Sequence, residues 1–224
     1  MDLLFTPAKL GTCELKNRIV RLATNGHLSD EKGQVTPLWA DTLIELAKNE
    51  VGLVITGHFC VDKMQRADAG QPVLDETTDE SLLRRACDGV HRYGGKLFFR
   101  LSHSGIEGVE SVNGAPPKHP EDFTREELDR LVEQFAFAAK KCKESGADGV
   151  QVSGIDFNRR AGQKTPFYLD ALICEPDFAA KLKSGAQDGS KCLTCNGCYT
   201  IYRKRFVRCV QHQDEIEQFK TIPW

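Results

Sequence analysis

An alternation of apolar strands with amphipathic helices is the feature that most limits how this chain can fold. Val51–Gly57 is apolar almost throughout, which is typical of a strand covered on both faces in a parallel sheet. Helical patterns that open on capping residues and end at glycine follow the strands. The alternation predicts a parallel sheet with right-handed crossovers, with strands near 17–23, 51–56, 96–101 and 149–152 and helices near 37–49, 79–93 and 125–145.

The stretch Gly146–Phe157 marks the end of this repetition. Gly146 stands where a left-handed helix stop is expected, Val150 and Val152 make a short strand, and Ser153–Gly154 opens a loop. In a parallel α/β protein the carboxyl ends of the strands are where ligands bind. We therefore expect any functional site at this end of the sheet.

The segments around the third strand carry further signals. The loop 102–122 is rich in glycine and proline, which predicts no regular structure and a length typical of functional loops. Thr124–Glu127 forms a capping box that opens the third helix. The predicted buried face of this helix consists of Leu128, Leu131, Val132, Phe135, Ala139 and Cys142. Ahead of the first strand, Leu10–Leu15 is interpreted as a small hairpin.

Composition indicates a soluble globular protein. Of the 224 residues, 40% are hydrophobic and 28% are charged, and the formal net charge of -2 gives no overall attraction to nucleic acid or to an anionic membrane. The first residues lack the basic and apolar regions of a signal peptide, and no segment has the apolar length of a membrane span. We expect a cytoplasmic protein with neither nucleic acid nor membrane as a partner.

The nine cysteines fall into two groups. The scattered ones are expected to be reduced thiols that serve as small core residues: Cys13, Cys60, Cys87, Cys142 and Cys174. The others follow the spacing Cys192-x2-Cys195-x2-Cys198-x10-Cys209. Thiolates at this spacing can surround a zinc ion or an iron–sulfur cluster; the alternative is a set of free thiols. The basic stretch Tyr202–Arg208 is interpreted as a solvated loop.

Several ordered motifs resemble the opening half of the old yellow enzyme family: Phe5–Gly11 with Leu15–Val20, Gly52–Thr56, and Gly94–Gly105. The later segments Leu172–Phe178, Lys181–Gly185 and Lys191–Cys198 look like the part that follows the family's last barrel strand, most of all in the branch related to 2,4-dienoyl-CoA reductase. Members of this family are FMN-dependent NAD(P)H:acceptor oxidoreductases built on a TIM barrel.

The resemblance implies an internally deleted member of the family. A TIM barrel usually needs about 250 residues, and the region of strands five to eight is reduced here to the residues between Val152 and Ala171. We therefore expect an α/β fold with a half TIM barrel of about four parallel strands in residues 1–170. A short cysteine-rich segment is expected in residues 171–224.

The resemblance also implies residues that bind FMN. The flavin would lie along Ala23 and Thr24 after the first strand and against Gly57 after the second, and Arg100 replaces a glutamine that bonds the flavin's pyrimidine edge. Arginine donates hydrogen bonds but does not accept them, so only part of that role is kept. The alternatives are that Thr24 and Gly57 are turn residues and that Arg100 is ion-paired or solvated. His103 matches a family histidine and is interpreted as a residue that shapes a loop; the alternative is a catalytic role.

Other family features are altered. The positions whose side chains hold the substrate oxygen are occupied by Ser153 and Asp156, and a carboxylate repels the negative charge that develops there. The loops that bind the FMN phosphate are missing. In the related branch a similar run of cysteines holds a 4Fe-4S cluster, although its spacing differs from Cys192, Cys195, Cys198 and Cys209.

Two functions are compatible with these features. The first is an FMN-linked oxidoreductase that takes hydride from NAD(P)H to a small-molecule acceptor, with impaired or lost activity. The alternative is a non-enzymatic half barrel or interaction module with a structural metal. In both cases the unpaired edges of the first and fourth strands predict a homo-oligomer.

Overall fold

Strands and helices alternate along the computed structural model, which describes residues 2–154, 175–187 and 191. The strands are β1 (Ala8–Leu10), β2 (Cys13–Leu15), β3 (Val20–Arg21), β4 (Leu53–Cys60), β5 (Lys96–His103) and β6 (Gly149–Gly154). The α-helices are α1 (Pro37–Lys48), α2 (Glu80–Arg92), α3 (Glu110–Asn113), α4 (Arg125–Glu144) and α5 (Phe178–Ser184). Short 3-10 helices cover Asp2–Phe5, Lys63–Gln65, Gly105–Glu107 and Pro120–Asp122.

A parallel sheet in the order β3-β4-β5-β6 forms the centre of the fold, and β1 and β2 form a separate antiparallel hairpin. Helices α1, α2 and α4 each connect two neighbouring strands of this sheet. The prediction of a partial TIM barrel with about four parallel strands is confirmed. The predicted boundary between residues 170 and 171 stays a prediction.

Strand β3 is much shorter than the predicted 17–23. The side chain of Asn17 is buried and engaged outside the sheet: its Nδ2 donates to the carbonyl of Glu50 at 2.7 Å, and its Oδ1 accepts from the Ile19 N–H at 3.0 Å. These bonds hold the chain in a turn before Val20. Only Val20 and Arg21 are left to pair with β4.

The prediction that residues 102–122 contain no regular structure was wrong. Strand β5 continues through His103, and α3 forms within the loop. Gly114 ends α3 in a left-handed conformation with φ of 70°. The Asn113 side chain bonds to the backbone of Arg66, which holds this short helix in place. Glycine here supplies the helix stop and does not prevent the helix.

The helix-covered face of the sheet holds the main core. The rings of Phe59 on β4 and Phe99 on β5 are buried with centroids 5.4 Å apart, and Trp39 from α1 meets Phe59 edge-on at 5.6 Å. Aromatic contacts of this kind contribute about 0.5–1.5 kcal/mol beyond the area they bury. Helix α2 places its predicted apolar stripe in the same core, with Leu83, Ala86 and Val90 buried.

Helix α4 begins as predicted but is less buried than predicted. Thr124 and Glu127 form the capping box, each side chain accepting from the backbone N–H of the other. Cys142 near the end of the helix is buried, whereas Leu128 is 44% exposed and Val132 is 67% exposed. On the predicted apolar face, Cys142 is thus fully buried, Leu131, Phe135 and Ala139 are partly buried against the core, and Leu128 and Val132 are exposed.

The opposite face of the sheet is closed at the amino ends of the strands by the hairpin. Leu15 of β2 lies in a cluster with Leu53 and Ile55 of β4, and Phe98 of β5 packs against it. The Phe98 ring also lies over Gly149 of β6, where an added Cβ would be 2.9 Å from the ring. This inner face is apolar in its lower half, below the level of the carboxyl ends of the strands.

The scattered cysteines behave as predicted where the structure describes them. The thiols of Cys60, Cys87 and Cys142 are buried, and this burial raises the pKa of each to about 12, so none is a reactive thiolate at neutral pH. Cys13 is partly exposed. Cys174 lies outside the described residues, as do the four clustered cysteines.

No helix among the described residues combines the length and apolarity needed to cross a bilayer.

Asp148 joins α2, β5 and β6 at the amino ends of the strands. Its carboxylate accepts from Lys96 Nζ at 2.8 Å and from the Leu97 N–H at 2.9 Å, and it lies 2.6 Å from His91 Nε2. Partial burial alone would raise the pKa of Asp148, but the hydrogen bonds from Lys96, His91 and the Leu97 amide outweigh it and leave that pKa lowered.

We expect Asp148→Asn to lower the free energy of unfolding by about 1–3 kcal/mol at neutral pH, because it removes a charged acceptor from three donors. The lowered pKa means that the Asp148 carboxylate binds a proton less tightly in the folded state than in the unfolded chain. The stabilisation is therefore present above about pH 4 and is lost as the pH falls further. Urea unfolding at neutral and acidic pH measures both effects. Asp129→Asn, at an exposed pair with Arg125, is the matched control and should change stability by less than about 0.5 kcal/mol.

Candidate functional site

Three loops meet at the carboxyl ends of the parallel strands, after β3, β4 and β5. Gln71, fully buried in the loop after β4, connects this loop to β4, to β5 and to the start of the loop after β5. Its Nε2 donates to the carbonyl of His58 at 3.2 Å and to Ser102 Oγ at 3.4 Å, and its Oε1 accepts from the Ala67 N–H at 2.6 Å and from Ser104 Oγ at 3.4 Å. A buried amide with all these partners fixes the loop that follows β4 against strands β4 and β5.

Arg66 makes a second connection between the loops. Its Nη1 donates to the carbonyl of Glu31 in the β3 loop at 3.1 Å, and its backbone exchanges two hydrogen bonds with the side chain of Asn113 in the β5 loop. Arg66 and Asn113 are both buried. The three loops are thus tied together by side chains that water cannot easily reach, so their arrangement is held before any ligand arrives.

A third connection involves His27 and Asp68. His27 Nδ1 lies 3.2 Å from Asp68 Oδ1, and Asn25 Nδ2 donates to Asp68 Oδ2 at 2.8 Å. Burial lowers the pKa of His27, and the nearby Asp68 carboxylate partly opposes this effect. Gly70 leaves room for the imidazole, because a Cβ at that position would be 2.6 Å from Nδ1.

The structure brings Thr24 and Gly57 together. A Cβ at Gly57 would lie 2.6 Å from the carbonyl oxygen of Thr24 and 2.9 Å from the Cα of Asn25. The missing side chain therefore lets the β3 loop, including Ala23, lie flat against β4. Thr24 Oγ1 donates to the carbonyl of Leu22 at 3.3 Å, so its oxygen keeps lone pairs that can accept a hydrogen bond from a ligand.

Arg100 lies on the inner face of the sheet, next to His58. The pairing of β4 with β5 shifts register between Ile55 and His58, and beyond the shift His58 is opposite Arg100. On the other side Arg100 is opposite Gln151 of β6. Because Phe99 faces the helix-covered core, the alternation along β5 turns Arg100 inward. These three positions form a polar row, His58–Arg100–Gln151, above the apolar lower half.

The charges in this row are set by burial. Desolvation lowers the pKa of the Arg100 guanidinium, which still leaves it cationic at neutral pH. Burial lowers the pKa of His58 to about 4, with further lowering by the positive charges of Arg100 and His27. At neutral pH the row therefore presents one fixed cation and one neutral imidazole to the inner face.

The remaining predicted site residues are only partly described. Ser153 pairs through its backbone position with Ser102 of β5. Asp156 and the cluster Cys192, Cys195, Cys198 and Cys209 lie outside the described residues. Within the described ranges, no group of three or more His, Cys, Asp or Glu side chains is arranged to hold a metal.

His103 has the loop-shaping environment that was one of its two interpretations. Its Nδ1 accepts from the Gly105 N–H at 3.1 Å, and its ring meets Phe123 edge-on with centroids 5.7 Å apart. His58, Gln71, Arg66 and Asn113 were not anticipated from the sequence. A glutamine followed by proline inside a long loop after a strand was the available signal for Gln71.

The fold and this site define a parallel α/β half barrel whose loops are tied together at the carboxyl ends of its strands. Residues 3–156, more than half of the chain, match the model of the NADH:flavin oxidoreductase / NADH oxidase family. The chain belongs to this family.

Individual relatives agree with this assignment. A metal reductase of Desulforamulus reducens is 34% identical over 68% of this chain and 24% of its own length. An NADH oxidase of Thermoanaerobacter brockii is 28% identical over 67% of this chain and 25% of its own length. An NADPH dehydrogenase of Bacillus licheniformis is 29% identical over 67% of the chain and 48% of its own length. The chain thus spans about a quarter to a half of these relatives.

Solved structures show the same fold. An old yellow enzyme homologue from Zymomonas mobilis superposes with a TM-score of 0.60 at 22% identity, over 66% of this chain and 47% of its own. A 2-naphthoyl-CoA reductase in complex with 2-naphthoyl-CoA superposes with a TM-score of 0.64 at 22% identity, over 84% of this chain and 34% of its own. The partial coverage of both agrees with the missing barrel half that the sequence predicts.

Gly57→Ala tests the packing of the β3 loop on β4. The added methyl group would overlap the backbone of Thr24 and Asn25, and we expect a loss of about 1–3 kcal/mol in the free energy of unfolding, with faster amide exchange in residues 22–28. Gly26→Ala is the control, because its methyl group would meet only the flexible Leu28 side chain, at 3.2 Å. Equal effects of the two substitutions would show that the close approach at Gly57 is not a constraint.

Proposed function

We propose that the chain binds FMN at the carboxyl ends of β3, β4 and β5 and has, at most, weak NAD(P)H:acceptor oxidoreductase activity. The observation that carries the proposal is that one end of the sheet brings together the Thr24 loop, the His58 position and the Arg100 guanidinium. Family membership supplies the identity of the cofactor. The small-molecule acceptor and the use of NAD(P)H as reductant are part of the proposal.

The residues present fit part of a flavin. The Arg100 guanidinium, on the inner face, suits the carbonyl oxygens of a pyrimidine edge because it offers a planar set of donors. The Thr24 hydroxyl is already donating to Leu22, so it is oriented to accept from a ring N–H. The neutral His58 adds no second positive charge beside Arg100. Gly57 contributes indirectly, since its free space is filled by the β3 loop and not by a ligand.

Bound FMN would supply hydride transfer, and the chain's own residues would hold and orient it. The tied loops hold Thr24 and strand β5 holds Arg100, which reduces the ordering that binding requires. The altered positions Ser153 and Asp156 argue for weak activity, because a carboxylate does not stabilise a developing oxyanion. The phosphate loops expected from the family are absent from the sequence between β6 and α5, which argues for weak cofactor affinity.

Arg100→Ala should weaken FMN binding by roughly 10- to 100-fold, because it removes charge-assisted hydrogen bonds from the pyrimidine edge. Quenching of flavin fluorescence during titration measures the affinity. Arg100→Gln keeps donors at the same place and should retain most of the affinity. Arg85→Ala, at an exposed ion pair with Asp41 on the outer helices, is the control and should leave binding unchanged. Equal binding by Arg100→Ala and the parent chain would remove Arg100 from the site.

Family-like reduction of activated alkenes should be close to background even when FMN is added. Loss of one preorganised oxyanion donor lowers rates by about 10²- to 10³-fold, and here the positions of both donors are changed to Ser153 and Asp156. NAD(P)H oxidation in the presence of FMN and an activated enone measures the rate. Turnover within the ordinary enzyme range of about 1–10³ per second would contradict the proposal of impaired activity.

A second candidate is a non-enzymatic interaction module with a structural metal at Cys192, Cys195, Cys198 and Cys209. The observation in its favour is the uncovered apolar surface on β6 and α4, where Val152 is 66% exposed. The absorption spectrum of the purified protein separates the two candidates. Flavin bands support the oxidoreductase, whereas a protein that carries metal and takes up no flavin supports the module.

A further inference from the structure

The parallel sheet has two open ends among the described residues. β3 pairs only with β4, and β6 pairs only with β5, so each has one side without a described neighbour. A parallel sheet of this family's fold closes at eight strands, which is twice the number that the described residues supply. The two edges belong to strands that run in the same direction.

The chain itself is too short between β6 and α5 to close the barrel. Residues 155–174 amount to about 20 residues, whereas one strand-and-helix unit of this protein extends from the start of β4 at Leu53 to the start of β5 at Lys96. Each parallel crossover needs a dozen or more residues in addition to the strands. This segment therefore lacks the length for four strands with their helices.

Among the described residues, the outer face of β6 has less cover than the outer faces of β4 and β5. Val150 is 39% exposed and Val152 is 66% exposed, whereas Phe59, Phe99 and Leu101 on the same face of β4 and β5 are fully buried. Val150 and Val152 thus form an exposed apolar seam, and Val132 on α4 is a further exposed apolar side chain, at 67%. In a closed barrel a helix lies outside each junction between neighbouring strands. Among the described residues, no such helix covers Val152 at this seam.

Helix α5 is such a helix, but it lies at the opposite end of the sheet. Phe178 and Ala179 are buried in the main core, and Lys183 pairs with Glu50, just before β4, at 3.0 Å. Glu50 also pairs with Lys16, just before β3, at 3.8 Å. Helix α5 therefore lies on the β3 side, beyond the last strand that it could cover within its own chain.

We propose that two copies of this chain complete an eight-stranded barrel around a two-fold axis parallel to the strands. β6 of each copy pairs in parallel with β3 of the other, and α5 of each copy covers Val150 and Val152 of the other. Such an interface is the same on both subunits and closes on itself, so it yields a dimer and not a filament. It also pairs both open edges and covers the seam.

Sedimentation of the full chain tests the proposal, with the parent chain expected at twice its mass of 25.0 kDa at micromolar concentration. Val152→Glu places a charge in the seam and should weaken dimerisation by roughly 100-fold. Met64→Glu is the control, because Met64 is 46% exposed and lies in the loop after β4, away from both edges; it should leave the dimer intact. Circular dichroism confirms that both variants are folded.

Hydrogen exchange across a dilution series identifies what covers the edges. Dimerisation predicts that amide protection in residues 20–21 and 149–154 falls together as the protein is diluted. Protection that does not change with concentration would assign the cover to another part of the same chain and overturn the proposal. A monomeric parent chain, or a dimer that tolerates Val152→Glu, would overturn it as well.

Discussion

The parallel pairing of β4 with β5 is the interaction on which the rest of the structure depends. It carries the aromatic contact between Phe59 and Phe99 on one face and the inward positions of His58 and Arg100 on the other. The register shift between Ile55 and His58 separates two parts of this pairing. Below it the inner face is apolar and packed against the hairpin; above it the inner face carries the polar side chains of His58 and Arg100. One irregularity in the ladder therefore divides an apolar layer from a polar one.

The sequence was sufficient to predict the sheet and its helices, because each element carries its own local signal. Pro37 after Thr36, the capping box at Thr124 and the glycine stop at Gly94 all lie where the structure begins or ends a helix. The row at Arg100 was only partly predictable. Because β4 is apolar almost throughout, its sequence does not show which side chains point to the inner face. The register shift that turns His58 inward depends on pairing with a strand some forty residues away. Asn17 shortens β3 for the same non-local reason.

The candidate site shows how a loop layer can be ordered without the missing half of a barrel. Gln71, Arg66 and Asp68 are each buried, and each satisfies partners on a neighbouring loop or strand. Unpaired buried polar groups are costly, so these bonds keep the loops together once water is excluded. The half of the site that contacts β3, β4 and β5 is thus stabilised by groups inside the described residues. Nothing in that network relies on a ligand.

Cofactor contact and substrate chemistry, which a complete barrel would combine, therefore depend on different residues of this chain. The proposed cofactor contact at the β3–β5 end depends on Thr24, His58 and Arg100, all of which the loop network and the sheet position. The substrate chemistry expected from the family depends on donors at the positions that Ser153 and Asp156 occupy in the sequence. A chain of this kind can therefore keep an ordered flavin edge while losing the groups that stabilise a reacting oxygen. Barrel completion by a second copy would restore the enclosure but not the donors, because each copy brings the same Ser153 and Asp156.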